Sequence, residues 1–168
     1  MKKWVAIIGV LINTASCALV EQPVVPRQYI NEPDALSIHN QYRAMHHAPN
    51  LVWDSKLAAY AENYARKCRF QHSHSHYGEN LAAGYASISA AVSAWYVEKN
   101  AYSYWRPGFS SRTGHFTQLV WRSSKRLGCG YAICNGKHGT PGKFWVCEYS
   151  PAGNIVNRGY FAANVLPV

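Results

Sequence analysis

The 168-residue sequence predicts an α+β domain with helices packed on an antiparallel sheet. Three observations carry that reading. Apolar residues recur at helical spacing in three segments between residues 33 and 98. Two strand-like runs follow, Leu127 to Cys134 and Lys143 to Tyr149, separated by the Gly- and Pro-bearing stretch Asn135 to Gly142, which reads as an antiparallel pair. No repeat, low-complexity tract or internal linker divides the chain, so it forms one domain with enough residues to bury a core.

The chain opens with a segment apart from that domain. Lys2 and Lys3 form a basic start, Val5 to Ile12 a short apolar stretch, and Ser16-Cys17-Ala18 a cleavage site with small residues at its key positions, so residues 1–18 read as an export signal. That apolar stretch is too short to span a bilayer, and no later one approaches the ~20 residues a transmembrane helix needs. The mature chain is therefore expected to be secreted and extracellular, starting near Leu19. Thr14-Ala15-Ser16-Cys17 also loosely resembles a bacterial lipoprotein box, which would make Cys17 a lipid anchor, although Thr14 stands where such boxes prefer an aliphatic residue. Residues 19–32, with Pro23 and Pro26, form an extended lead-in, and the domain covers 33–168.

Pro33 suits the first turn of a helix running to about His46, with Ala35, Ile38, Tyr42 and Met45 as its buried stripe and His39, Asn40 and Arg43 on a neighbouring polar face. Asp54 is a good N-cap for a second helix, following the extended Leu51-Val52-Trp53. Leu57, Tyr60, Ala61, Tyr64 and Cys68 would face the core. His72, His74 and His76 alternate on a segment that, if extended, points them to one side. Ser87 can cap a third helix with the stripe Ile88, Ala91, Val92 and Trp95. Three residues further this stripe reaches Glu98, a carboxylate that needs a partner if it is buried. Tyr102, Tyr104, Trp105 and Phe109 crowd the following loop, where Pro107-Gly108 is turn chemistry, and an exposed patch of that kind usually binds something. Gly114 then precedes a short helix with Phe116, Leu119 and Val120 on one face. His115 at its start leans neutral beside the positive end of the helix dipole, the form able to ligate a metal. Pro151 to Asn154 ends the second strand, and Gly159 to Val165 can add an edge strand.

The formal charge of +9 falls to +7 once Lys2 and Lys3 leave with the signal. Lysines and arginines are spread along the chain without a nucleic-acid motif, so attraction to an anionic surface is the inference and a nucleic-acid partner is not expected. Removing Cys17 leaves Cys68, Cys129, Cys134 and Cys147, an even number that reads as two disulfides with three possible pairings and no thiol left as a nucleophile.

Several motifs agree with one another. Gly114-His115-Phe116-Thr117-Gln118-Leu119-Val120-Trp121 resembles the signature of the CAP superfamily, the cysteine-rich secretory, antigen 5 and pathogenesis-related 1 proteins (SCP domain). His39-Asn40-x-x-Arg43, Gly78-Glu79-Asn80-Leu81-Ala82, Trp95-Tyr96-x-Glu98 and Val146-Cys147-Glu148-Tyr149-x-Pro151-x-Gly153-Asn154 resemble further elements of that family, with Glu148 departing from the usual asparagine. Gly159-Tyr160-Phe161-x-x-Asn164-Val165 is similar to the C-terminus of fungal-type secreted members. The resemblance implies a three-layer α-β-α sandwich with a central antiparallel sheet, and the disulfides Cys68–Cys134 and Cys129–Cys147. It implies a cleft tetrad of His72, Glu79, Glu98 and His115, with no firm catalytic residue. His72 is preferred because Ser73 follows it and Cys68 lies four residues before, and His74 is the second choice. Zinc or a similar divalent metal, held weakly by His72 and His115 with the glutamates acting through water, suits that donor set.

Fungal-type members resembling this chain carry an aromatic loop before the signature that implies sterol or lipid binding, and Tyr102, Tyr104, Trp105 and Phe109 match it in place and character. A secreted effector or defence-type interaction protein is the alternative. A metal-assisted hydrolase using Glu79 or Glu98 as base ranks third, since neither H-E-x-x-H nor G-x-S-x-G is present.

Overall fold

A computed structural model describes residues 32–168. The signal, Cys17 and nearly all of the lead-in lie outside the described residues.

Helix α1, Glu32–Met45, ends one residue short of the expected His46. Its buried stripe is not the expected one. Ala35 is enclosed, but with it are His39, Arg43 and His46, while Met45 is exposed and Ile38 and Tyr42 pack only at the margin. Polar groups can occupy a core when each finds a partner. The His39 ring nitrogens bond to the Ala35 carbonyl (2.6 Å) and the Tyr149 hydroxyl (2.8 Å). Those of His46 bond to the Leu166 carbonyl (2.7 Å) and the Tyr96 hydroxyl (3.1 Å). Arg43 donates to the carbonyls of Pro49, Leu119, Trp121 and Ser124 at 2.8–3.0 Å, so one guanidinium ties α1 to the segment that follows it and to the distant stretch from Leu119 to Ser124.

Strand β1, Val52–Trp53, leads into α2, Ser55–Ala65, where the Asp54 carboxylate accepts from the backbone N–H of Lys56 and Leu57 as an N-cap. The buried face of α2 is Leu57, Ala61 and Ala65, with Tyr60 exposed and Tyr64 half-buried. The small residues match a close approach: a Cβ on Gly128 would stand 2.1 Å from the Ala58 nitrogen, and one on Gly130 2.2 Å from the Glu62 nitrogen. Backbone therefore lies on backbone, and tyrosines would hold the helix off. Cys68 falls beyond the helix in a left-handed turn.

Strand β2, Gly78–Ala83, is followed by α3, Ile88–Val97, capped by Ser87 and burying Ile88, Ala91, Val92 and Trp95 as expected. After a 3₁₀ turn at Glu98–Ala101 and the aromatic loop comes α4, Gly114–Leu119. Strands β3, Arg126–Asn135, and β4, Pro141–Ser150, form the expected antiparallel hairpin. The last segment is not an edge strand. Gly159, at φ +83°, opens a short helix α5, Tyr160–Asn164, which places Phe161 against Trp121 with ring centres 5.0 Å apart. Asn164 at the end of α5 accepts from the Ser123 N–H and hydroxyl, which fastens the helix to the loop after α4.

The sheet runs β1-β3-β4-β2. It is mixed rather than wholly antiparallel, because β1 pairs parallel with β3 while the other two pairings are antiparallel. One face carries the larger core with residues of α1, α3 and α4, and the other the smaller core with Ala61 and Ala65 of α2. That is the three-layer α-β-α arrangement. Both implied disulfides form: Cys68–Cys134 pins the segment after α2 to the end of β3, and Cys129–Cys147 joins directly opposed residues of the hairpin.

Candidate functional site

The end of α3 and the start of α4 meet at one carboxylate. Glu98 does not fray away into solvent: its side chain, 22 % exposed, has both oxygens engaged. One of its oxygens accepts from the His115 and Phe116 backbone N–H groups (3.0 and 3.2 Å), and the other bonds to His115 Nδ1 at 2.7 Å. The first turn of α4 thus has its free donors satisfied by a side chain from another element. The His115 ring stacks on Trp95 at 5.9 Å, and the His115 carbonyl accepts from Asn80 of β2.

A second pair forms at the other end of β2. His72 Nδ1 bonds to Glu79 Oε1 at 2.7 Å, and the Ser73 N–H donates to the same oxygen at 2.9 Å. The Glu79 hydrogen bond holds a proton on His72 and raises its pKa above the ordinary imidazole value. Of the three neighbouring histidines, His72 is the one bonded to Glu79. His74 adopts a left-handed turn, so the segment is not a simple extended run, and the His76 ring lies against Tyr77 with centres 4.0 Å apart.

The four tetrad residues are therefore two like-built pairs. Glu98 and His115 line a cleft of about 690 Å³ with Phe70, Tyr85, Trp95 and Pro141. His72 and Glu79 line another of about 580 Å³ with His74, Gln118, Gly153 and Asn154. The two clefts have no lining residue in common. Among the described residues, the side chains that gather three donor atoms within 4.8 Å are His39, Cys129 and Cys147. Those sulfurs form a disulfide and both His39 nitrogens are hydrogen-bonded, so that cluster is packing rather than a metal shell.

Glu148 is the residue that sequence reading noted only as a departure from the family pattern and gave no role. It sits directly across from Glu79 in the β2–β4 register and is fully buried. Both its oxygens and Glu79 Oε2 lack any ordinary donor. Burial, then its contact with Glu79, pushes the Glu148 pKa far above the carboxylate range, while His72 and Ser73 help hold Glu79 below it. The pair shares one proton, with Glu148 as the acid donating to Glu79. The signal was available: an acid in register with Phe144 and Val146 on a strand buried along most of its length.

The aromatic loop divides its work. Tyr102 is half-buried against Phe116 (ring centres 5.7 Å apart), and burial pushes its hydroxyl up to about 12. Trp105 is 96 % exposed and Phe109 55 %. The hydrogen-bonded turn of this loop, Arg106 N–H to the Ser103 carbonyl, lies just ahead of Pro107-Gly108 rather than at it. Phe109 lies over Gly114 and, with Pro107, Val156, Arg158, Phe161 and Ala162, lines a third cleft of about 510 Å³.

The profile of the cysteine-rich secretory protein (CAP) family matches residues 36–149. This chain is a CAP protein. It is 44 % identical over 135 residues to Protein PRY2 of Saccharomyces cerevisiae, covering 77 % of this chain and 39 % of that one. It is 43 % identical to the secreted protein RBT4 of Candida albicans, covering 78 % and 39 %. With pathogenesis-related protein 1 of Arabidopsis thaliana it shares 42 % identity over 84 % of this chain and 89 % of that protein. The chain thus spans about two-fifths of the length of the two fungal proteins. Among solved structures, Na-ASP-1 superposes with a TM-score of 0.64 at 22 % identity, covering 87 % of this chain and 47 % of that one. NaASP2, determined with Zn2+, gives 0.61 at 24 %, covering 84 % and 89 %. These similarities place the CAP fold.

Proposed function

We propose that this CAP protein is secreted and binds sterols or comparable flat, apolar lipids through the loop from Tyr102 to Phe109. The observation that carries the reading is the third cleft: Phe109, Val156 and Phe161 give it apolar walls, and Trp105 stands almost wholly free in the same loop. A flat apolar ligand needs aromatic surface and few polar contacts. Among the described residues no helix is long and apolar enough to cross a membrane, and RBT4 is named a secreted protein, both of which fit export.

Fluorescent-sterol titration tests the reading. Trp105→Ala and Phe109→Ala should each weaken binding by roughly 2 kcal/mol, over tenfold. His115→Ala, in a different cleft, should matter far less. Wild-type affinity in both aromatic variants would reduce the loop to a cover for the core, and loss of binding in His115→Ala alone would move the ligand to the Glu98–His115 cleft.

The His–Glu pairs support a second property, weak binding of a divalent metal such as zinc. In each, a carboxylate holds Nδ1 and leaves Nε2 as the nitrogen for a metal, the orientation usual for metal-bound histidine. When bound, such an ion would supply Lewis acidity. The chain's own part is to fix the two rings through Glu79 and Glu98. Both carboxylates are already engaged by a ring and by backbone N–H groups, which suits orientation better than proton abstraction.

A further inference from the structure

The acids and bases of this chain are distributed differently. Of eight acids, seven lie at or before Glu98, whereas residues 99–168 carry nine lysines and arginines and a single acid, Glu148. That acid is fully buried. The surface built by the last 70 residues therefore presents cations without an acidic side chain of its own. Arg106, Arg112 and Arg158 are all exposed, and none is in an ion pair with a described residue. Arg106 and Arg158 sit with the least buried apolar side chains, and Arg112 follows three residues after Phe109. Trp105 is 96 % exposed and Val156 75 %, and Arg106 is Trp105's neighbour in the turn, while Arg158 shares a cleft with Phe109 and Val156.

We propose that this face docks on an anionic phospholipid bilayer, with Trp105, Phe109 and Val156 entering the interface and Arg106, Arg112 and Arg158 meeting headgroup phosphates. The proposal deepens the lipid-binding reading and rests on it for taking lipid as the partner: the face that receives an apolar ligand is the one set against its source. Tryptophan prefers the headgroup level, where its ring is apolar on one side and wet on the other. Surface binding strengthens with buried apolar area and with attraction to anionic lipid. Nucleic acid would also meet arginines and an aromatic, but Val156 and the half-exposed Ile155 offer a base nothing to stack on and suit acyl chains.

The test is co-sedimentation of the full chain with sterol-free vesicles of phosphatidylcholine, alone and mixed with phosphatidylserine, at low and high salt. Wild type should bind the mixed vesicles and leave them as salt rises. The variant Arg106→Gln/Arg112→Gln/Arg158→Gln should lose about fivefold per charge, on the order of 100-fold in all, whereas lysine at the same three positions should retain most of the binding. Trp105→Ala should weaken the wild-type partition as well. Equal binding to both vesicle types, or an unaffected glutamine variant with an unchanged circular dichroism spectrum, overturns the proposal. So does a single-stranded oligonucleotide that binds more tightly than vesicles through the same arginines. Because these vesicles hold no sterol, docking and ligand binding fail separately. Vesicle binding without sterol affinity in solution removes the ligand reading, and sterol affinity without vesicle binding removes docking.

Discussion

Replacing Glu148 with glutamine should make the folded protein less sensitive to rising pH. Glu148 and Glu79 face each other across β4 and β2, out of water, and three of their four oxygens have no ordinary donor. Two carboxylates so placed cannot both ionise, so one keeps its proton. Glu79 has His72 and the Ser73 N–H to support its charge, and Glu148 has neither, so Glu148 is the neutral member, with burial as the larger cause. Tyr64, on the α2 side, adds no positive charge to relieve it. A carboxyl whose folded pKa lies above its unfolded one binds extra protons in the folded state. Its stabilising effect is full below the unfolded value of 4.5 and is lost as pH rises toward about 9. The slope is at most about 1.4 kcal/mol per pH unit, or about 2.7 kcal/mol across two units from the mildly acidic side to just above neutral. Glutamine fills the same space, donates an N–H to Glu79 and has no proton to lose. Urea unfolding of both proteins with disulfides intact, at the two ends of that window, gives the comparison. Contributions from His39, His46 and His72 are common to both and cancel in the difference. The lowered pKa of Glu79 acts below the window, where its stabilising effect fades as pH falls. Stability curves that run parallel through the window would refute the shared proton.

Arg43→Ala should cost at least about 3 kcal/mol in chemical denaturation, since it strands three buried carbonyls, those of Leu119, Trp121 and Ser124, and Arg43→Lys should recover little because one ammonium cannot reach all of them. Burial lowers the Arg43 pKa to about 10, so it stays charged at neutral pH and mild acidification should not reproduce the loss. Removing Cys68–Cys134 by a double serine change should cost about 4 kcal/mol for its separation of 66 residues, and removing Cys129–Cys147 about 3 for 18, read from unfolding midpoints. Zinc titration should show weak binding that His72→Ala and His115→Ala each reduce and the double change abolishes. Because Glu79 holds the His72 proton, the His72 contribution should fail as pH falls through a value above the ordinary imidazole pKa. Unchanged binding in the double variant would assign the metal elsewhere.

Much of this protein was legible in its sequence because the signals are local. Asp54 and Ser87 announce the starts of α2 and α3, since a cap acts on N–H groups two or three residues away. The hairpin from Arg126 to Ser150 follows from two β-rich runs around a turn with Gly136 and Gly139 at positive φ. The disulfide pairing followed from the family motifs, whereas the division of the four histidines and glutamates into two pairs in separate clefts did not. What resisted were positions whose meaning depends on distant partners. His39 and Arg43 read as part of a polar helix face and His46 only as the helix end, and only the carbonyls and hydroxyls brought from Leu166, Trp121 and Tyr149 make them core. Tyr60 and Tyr64 are the large aromatics of α2, yet Gly128 and Gly130, far along the chain, let the α2 backbone at Leu57 and Ala58 and at Ala61 and Glu62 lie directly on β3, which turns the tyrosines away from the contact. The Gly159 to Val165 segment is as compatible with a strand as with the helix that docks on Trp121. Glu148 is an ordinary acid in the sequence, and strand register alone sets it opposite Glu79. Local pattern determined where helices and strands begin. Long-range pairing decided which polar groups are buried and which proton is shared, because a polar group's cost depends on what the rest of the chain puts beside it.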